Sequence, residues 1–333
     1  MKRSVRVAII GCGRMGRLRA AASAKLGADV VLAFDASREA AQDLADSFPS
    51  CRAADRLEEI DSTELDAIFV CTPPSARGPV ELEAARRGIA LFVEKPIGLS
   101  ALAVEPVRKM LLATRSLSAV GYMNRYRESV RLARGKLSGE AILGAHGHWI
   151  NGMYRVPWWT NRDISGGSLN EQATHLVDLT RFLLGEVVSV QVSAVACPDD
   201  SRLIGTAAIV LRCEGDVPCA LIYSCRASYK SIGFQVFTDT GNVTLTGWNL
   251  ELQNGSGYAS LDASTDRSQI FYAETEQFLT AVETGMPGPI LCDFEDACRT
   301  QLVMDAIDGA ISTHQTIPVN NTQELIADGA RLA

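Results

Sequence analysis

The chain has 333 residues, 47% hydrophobic and 21% charged, a balance that excludes a disordered or low-complexity polypeptide and supplies core enough for two domains of ordinary size. Its 32 Lys and Arg stand against 39 Asp and Glu, a net charge of −7. With no long basic run, and no apolar stretch near the roughly 20 residues of a membrane span, the expected partners include neither nucleic acid nor membrane.

Met1-Lys2-Arg3 followed by Val5 to Ile10 resembles a secretion signal, but the apolar run is short and ends in Gly11-Cys12-Gly13-Arg14, so it reads as a first strand. Nine Cys, at 12, 51, 71, 197, 213, 219, 225, 292 and 298, include no Cys-x-x-Cys pair. That predicts reduced thiols in a cytoplasmic protein, with neither a disulfide framework nor a zinc site.

Up to residue 123, short β-branched runs alternate with helical stretches, the pattern of a doubly wound parallel sheet covered on both faces. The strands are expected at Val5 to Ile10, Val30 to Phe34, Ala67 to Cys71, Ile89 to Val93 and Leu117 to Tyr122, with helices such as Arg38 to Ser47 and Pro79 to Arg87 between them. From 124 to 333 strands follow one another without intervening helices: Ile142 to Asn151, Val187 to Ala196, Thr206 to Arg212, Pro218 to Cys225, Gly233 to Phe237 and Asn242 to Thr246. Helices are expected at Glu171 to Leu184, Tyr272 to Thr284 and Phe294 to Thr313, giving an α+β domain with a mostly antiparallel open sheet.

Gly11-x-Gly13-x-x-Gly16 follows the first strand and opens a helix carrying Arg14 and Met15, and Asp35 ends the second strand. These glycines serve a tight turn, close approach to a pyrophosphate and helix-to-strand packing, and the acid about 20 residues on accepts from the ribose hydroxyls. The arrangement predicts a dinucleotide. A carboxylate at Asp35 repels a 2′-phosphate and favours NAD over NADP, whereas Arg38 keeps NADP open.

Glu94-Lys95-Pro96 falls just beyond the fourth long strand, where open parallel sheets bind ligands. Beside an oxidised nicotinamide, Lys95 is placed to exchange a proton near neutral pH. An exposed Lys before a turn-forming Pro is the competing reading.

With Val70-Cys71-Thr72-Pro73-Pro74, Gly121-Tyr122-Met123-Asn124-Arg125-Tyr126 and Gly166-Gly167 leading to His175 and Asp178, the chain resembles the Gfo/Idh/MocA (glucose-fructose oxidoreductase, inositol dehydrogenase) family over nearly its whole length. The resemblance implies an N-terminal Rossmann domain and a C-terminal domain whose open sheet makes a homodimer or homotetramer. It also implies NAD(P)-dependent oxidation or reduction of sugars, inositol-like polyols and related small molecules. Lys95 becomes the catalytic lysine and Pro96 a cis proline that places it. Cys71, Thr72, Pro73, Pro74 and Glu94 line the cofactor, and His175 stands at the substrate. Glu171 stands where the family usually has Asp, and Arg77 where many members have His.

On a helix, Glu171, His175 and Asp178 share a face, with Leu176, Leu179 and Leu183 as the adjoining apolar stripe. A satisfied core histidine is the alternative for His175. Substrate contacts are expected among Arg125, Tyr126, Trp158, Trp159 and Asp178, with Tyr154, Arg155, Asn161 and Arg162 around them; an ion pair or packing explains Arg125 and Tyr126 equally, and core packing is the commoner role of a tandem Trp. His146-x-His148 with Glu171 is too sparse a set for a metal centre, and none is expected. Two other classes stay open: a redox-neutral NAD-assisted lyase or glycosidase, and a non-catalytic NAD(P)-binding regulator.

Overall fold

Arg6–Ile10 (β1), Ala67–Val70 (β4) and Ala90–Val93 (β5) are short apolar runs buried almost throughout, and in the computed structural model they form the centre of a parallel sheet. The structure describes residues 3–60, 63–154, 156–254 and 267–319. Asp29–Phe34 (β2), Arg52–Ala53 (β3) and Ser118–Val120 (β6) complete six strands in the order β3-β2-β1-β4-β5-β6, all parallel. The order turns back at β1, which pairs with both β2 and β4, the arrangement that opens a crevice beyond the carboxyl ends of these strands. The crossovers are Arg14–Lys25 (α1), Arg38–Ala45 (α2), Pro79–Arg86 (α3) and Ala101–Thr114 (α4). Ser37 caps α2 by accepting from the Ala40 amide, and Glu81 accepts from the Gly78 amide at the start of α3.

Beyond residue 124, strand-only texture gives way first to a helix the strand pattern does not announce, Glu128–Leu137 (α5), which buries Val130, Ala133 and Leu137. Ile142–Gly152 (β7), Val187–Ala196 (β8), Ile204–Cys213 (β9), Pro218–Ser224 (β10), Arg226–Thr238 (β11), Asn242–Thr246 (β12), Glu251–Asn254 (β13) and Ile317–Pro318 (β14) form an eight-stranded sheet in the order β13-β12-β11-β7-β10-β9-β8-β14. Its pairs are antiparallel except β7 with β10. Strand β11 begins well before the expected Gly233, because its first half, broken in register between Arg226 and Ser231, carries polar residues that hide the pattern.

Exposure alternates along β9 and β10, so one sheet face is covered and the other open. Ser168–Leu184 (α7), preceded by the single turn Arg162–Ser165 (α6), packs on the covered face of β7, β9 and β10. It is buried on every side, which fits its apolar stripe plus a row of polar residues that must find partners. Arg267–Thr284 (α8) and Phe294–Thr313 (α9) complete the helices.

The chain divides into two compact units. One gathers Met1–Gly98, Ala103–Met123 and Arg267–Ala297; the other gathers Leu99–Leu102, Asn124–Asp266 and Cys298–Ala333. Helix α8 therefore packs with the parallel sheet, where Phe278 meets Phe69 and Phe92 edge-on at 5.3 and 5.5 Å. None of the nine cysteines is joined in a disulfide. Among the described residues no helix is long and apolar enough to cross a membrane.

Candidate active site

In the first unit every residue expected at the cofactor follows the carboxyl end of a parallel strand. Gly11 sits at φ +92°, and a Cβ there would lie 2.7 Å from the Cys71 carbonyl carbon; at Gly16 it would lie 1.9 Å from the Gly11 oxygen. Only glycine lets β1 turn this tightly into α1. Gly13, by contrast, has nothing within 4 Å of a Cβ position, and as N-cap of α1 it provides no side-chain cap. Arg14 and Met15 begin that helix, so its first amides face outward at the positive end of its dipole.

Asp35 ties this turn to β2: one carboxylate oxygen accepts from the Cys12 amide at 2.7 Å, the other from the Ser37 amide at 2.9 Å. Burial and the Asp35 charge push the Cys12 thiol up to about 12, so it is an inert neighbour rather than a nucleophile. Arg38 forms an exposed ion pair with Asp55. Beyond β4, Cys71 leads to Thr72, whose buried hydroxyl has no partner among the described residues, and Pro73-Pro74 begin a short 3₁₀ turn. An uncapped helix start, a side-chain-free Gly13 and an orphaned hydroxyl fit the pyrophosphate and ribose of a dinucleotide.

Glu94, Lys95 and Pro96 follow β5, and the Lys95–Pro96 bond is cis. Glu94 is buried against Arg19 of α1, a residue the sequence reading passed over. Burial opposes the Arg19 charge, but Glu274 and Glu94 outweigh it and raise its pKa above the ordinary range. The Arg77 guanidinium donates to the Val70 carbonyl at 2.7 Å.

In the second unit Glu171 and His175 lie one turn apart on α7, both buried. Asp178, on the same face, is engaged by Arg125 through Nε at 3.1 Å and Nη2 at 2.6 Å. These two expected substrate contacts are thus each other's partners, and the guanidinium also lies 5.2 Å from the centre of the Phe182 ring. Tyr126 is buried in the turn that carries Arg125. Trp159 is buried edge-on against Tyr154 at 5.0 Å, whereas Trp158 is half-buried. Asn161 caps α6 and Arg162 pairs with Asp308; Arg155 lies outside the described residues.

His146 and His148 sit on β7 but face away from α7, hydrogen-bonded to Gln235 at 3.0 Å and Ser231 at 2.7 Å. The sheet separates them from Glu171. Their odd-numbered neighbour Trp149 faces the helix instead and stacks on His175; a lone Trp in a strand gave no signal of that.

A six-stranded parallel sheet that turns back at β1, with a glycine turn and a half-buried lysine before a cis proline beyond its strands, defines a nucleotide-binding oxidoreductase domain. Residues 5–124 match the oxidoreductase family with NAD-binding Rossmann fold, and residues 138–244 match the GFO/IDH/MocA C-terminal domain. The chain belongs to the Gfo/Idh/MocA family of oxidoreductases. Among similar proteins, an inositol 2-dehydrogenase of Rhizobium meliloti (strain 1021) is 27% identical over 85% of this chain and 90% of its own length. A scyllo-inositol 2-dehydrogenase (NAD(+)) of Bacillus subtilis (strain 168) is 28% identical over 57% of each chain. A levoglucosan dehydrogenase solved with NADH shares the fold, with a TM-score of 0.87 at 18% identity, over 96% of this chain and 100% of the other.

Proposed function

We propose that this protein moves hydride between a nicotinamide cofactor and the hydroxyl or keto carbon of a cyclic polyol or sugar, with NAD preferred to NADP. The observation that carries the reading is the alignment of the bare α1 N-terminus, the orphaned Thr72 hydroxyl and Lys95 beyond neighbouring parallel strands. Relatives named for inositol and NAD(+) support the substrate and cofactor classes. Asp35 at the end of β2 supports NAD, because a carboxylate there repels a 2′-phosphate.

When bound, the nicotinamide supplies the hydride acceptor or donor at its C4. Lys95 takes the hydroxyl proton during oxidation and returns it during reduction. Glu171 and His175 hold the substrate's hydroxyls, with His175 passing the proton onward. Gly11, Gly13, Arg14, Met15 and Gly16 cradle the pyrophosphate, and Asp35 accepts from the ribose. The covered-and-open sheet, with Val195, Val210, Ile222 and Phe237 exposed on its open face, supports assembly into a homodimer or homotetramer, and thiols without disulfides support a cytoplasmic site.

Titration with NADH and NADPH, followed by an absorbance screen against myo-inositol, scyllo-inositol, levoglucosan and L-sorbose, tests the reading. Tight NADH binding with turnover of a panel member is expected. Binding of neither cofactor sinks it.

A further inference from the structure

The indole of Trp149 lies flat against the imidazole of His175, ring centroids 5.3 Å apart and planes inclined by 11°. Trp248 buttresses the indole edge-on at 5.8 Å. Trp149 is 4% exposed, yet its Nε1–H meets no acceptor among the described residues. Buried indole N–H groups ordinarily have one, because burial strips away the water that would otherwise accept.

Two neighbours share this condition. Asn151 is two residues further along β7, so its side chain leaves the same face as Trp149, and its Nδ2 is buried without a partner among the described residues. Gln172 stands one turn before His175 on α7; it is 2% exposed, and neither end of its amide is partnered among the described residues. Trp149 and Asn151 on β7 and Gln172 on α7 therefore present N–H donors and a carbonyl acceptor that no described residue satisfies. Such a set is built to be completed by a ligand rich in hydroxyl groups, each able to accept and to donate.

We propose that Trp149 has two tasks at the site read above, on which this inference rests. Its ring face fixes the imidazole plane of His175, making it a positioning residue. Its N–H donates to a hydroxyl oxygen of the bound cyclic polyol, making it a specificity residue, with Asn151 and Gln172 reading neighbouring hydroxyls. Strand and helix hold the two rings, so the stack is set before substrate arrives.

Two substitutions separate the tasks. Trp149→Phe keeps an aromatic face on His175 and removes the donor; Trp149→Leu removes both. Binding of myo-inositol, scyllo-inositol and levoglucosan to the NADH-loaded protein, turnover with NAD, and thermal unfolding are measured for each, with the monodeoxy analogues of the tightest binder. Trp149→Phe is expected to weaken polyol binding roughly five- to tenfold, the worth of one neutral hydrogen bond, with kcat nearly kept. Trp149→Leu is expected to lower kcat by a further factor of about 10, because the imidazole loses its fixed plane. One monodeoxy analogue binds wild type and Trp149→Phe equally, a pattern that loss of packing alone does not produce. If wild type and Trp149→Phe bind every analogue alike, the proposal fails and the oxidoreductase reading stands. If no polyol of the panel binds wild type with NADH, both fail.

Discussion

Arg19 and Glu94 are joined inside the first unit, the guanidinium Nε donating to Glu94 Oε1 at 2.8 Å. The same guanidinium reaches Glu274 Oε2 at 2.5 Å and Thr275 Oγ1 at 3.0 Å on α8, and lies 4.2 Å from the centre of the Phe92 ring. The residue before Lys95 is therefore held by a helix from near the other end of the chain. Gly121 closes the other side: a Cβ there would stand 2.7 Å from Glu94 Oε2. Removing one member of a buried ion cluster costs more than the cluster contributes, because the remaining charges stay buried and unmatched. Arg19→Met should thus destabilise the protein by about 3 to 5 kcal/mol in chemical denaturation. Arg19→Lys should recover only part, since an ammonium lacks the planar fork that serves both carboxylates. A midpoint for Arg19→Met close to wild type would show the cluster to be dispensable.

Lys95→Met keeps the unbranched stem as far as Cε and removes the amine. If Lys95 moves the proton, turnover should fall by at least about 10²-fold, while NADH affinity, followed by fluorescence titration, stays close to wild type. An active Lys95→Met enzyme would assign the proton step elsewhere.

Gly16→Ala tests the turn. A methyl at this position collides with the Gly11 carbonyl at 1.9 Å, a backbone atom that moves only with the whole turn. The variant should lose NADH binding and about 1 to 3 kcal/mol of stability. The same change at Gly13, where the space is open, should leave stability within about 0.5 to 1 kcal/mol of wild type and weaken NADH alone. Equal stabilities for the two would contradict the packing roles drawn from the turn.

The parallel sheet was legible because its strands are continuous apolar runs and its turns carry glycines at fixed spacing, a signal contained in a few neighbouring residues. What connects distant segments was not. Arg19 is one of several arginines in its helix, with no local feature to single it out, and only the return of α8 to the first unit brings Glu274 and Thr275 to it. The face shared by Glu171, His175 and Asp178 followed from helical spacing, but spacing could not tell that Asp178 belongs to Arg125 while Trp149 belongs to His175. Helix α5 went unread because Gly135 and its charged residues dilute the apolar period.

Asp305 of α9 makes stability depend on pH. Burial pushes its carboxyl from the ordinary 3.8 up to about 6, against the amide of Ala101 and the side chain of Gln301, which both donate to it. A carboxyl whose pKa is higher folded than unfolded binds its proton more tightly in the native state. Its contribution to stability is therefore whole below pH 3.8 and is lost as pH rises through about 6. Above that, the buried charge costs on the order of 2 kcal/mol, allowing for its partial exposure. Asp305→Asn removes the charge and keeps an acceptor for the Ala101 amide. Its amide can also donate to the Gln301 Oε1, which is buried without a partner among the described residues. The variant should be more stable than wild type at pH 7 by roughly that amount, and the difference should shrink as pH falls through 6 and vanish only below 3.8. Urea midpoints of both proteins across that range measure it; a constant or widening gap toward acid pH would mean that the carboxylate is stabilised, not strained, by its surroundings.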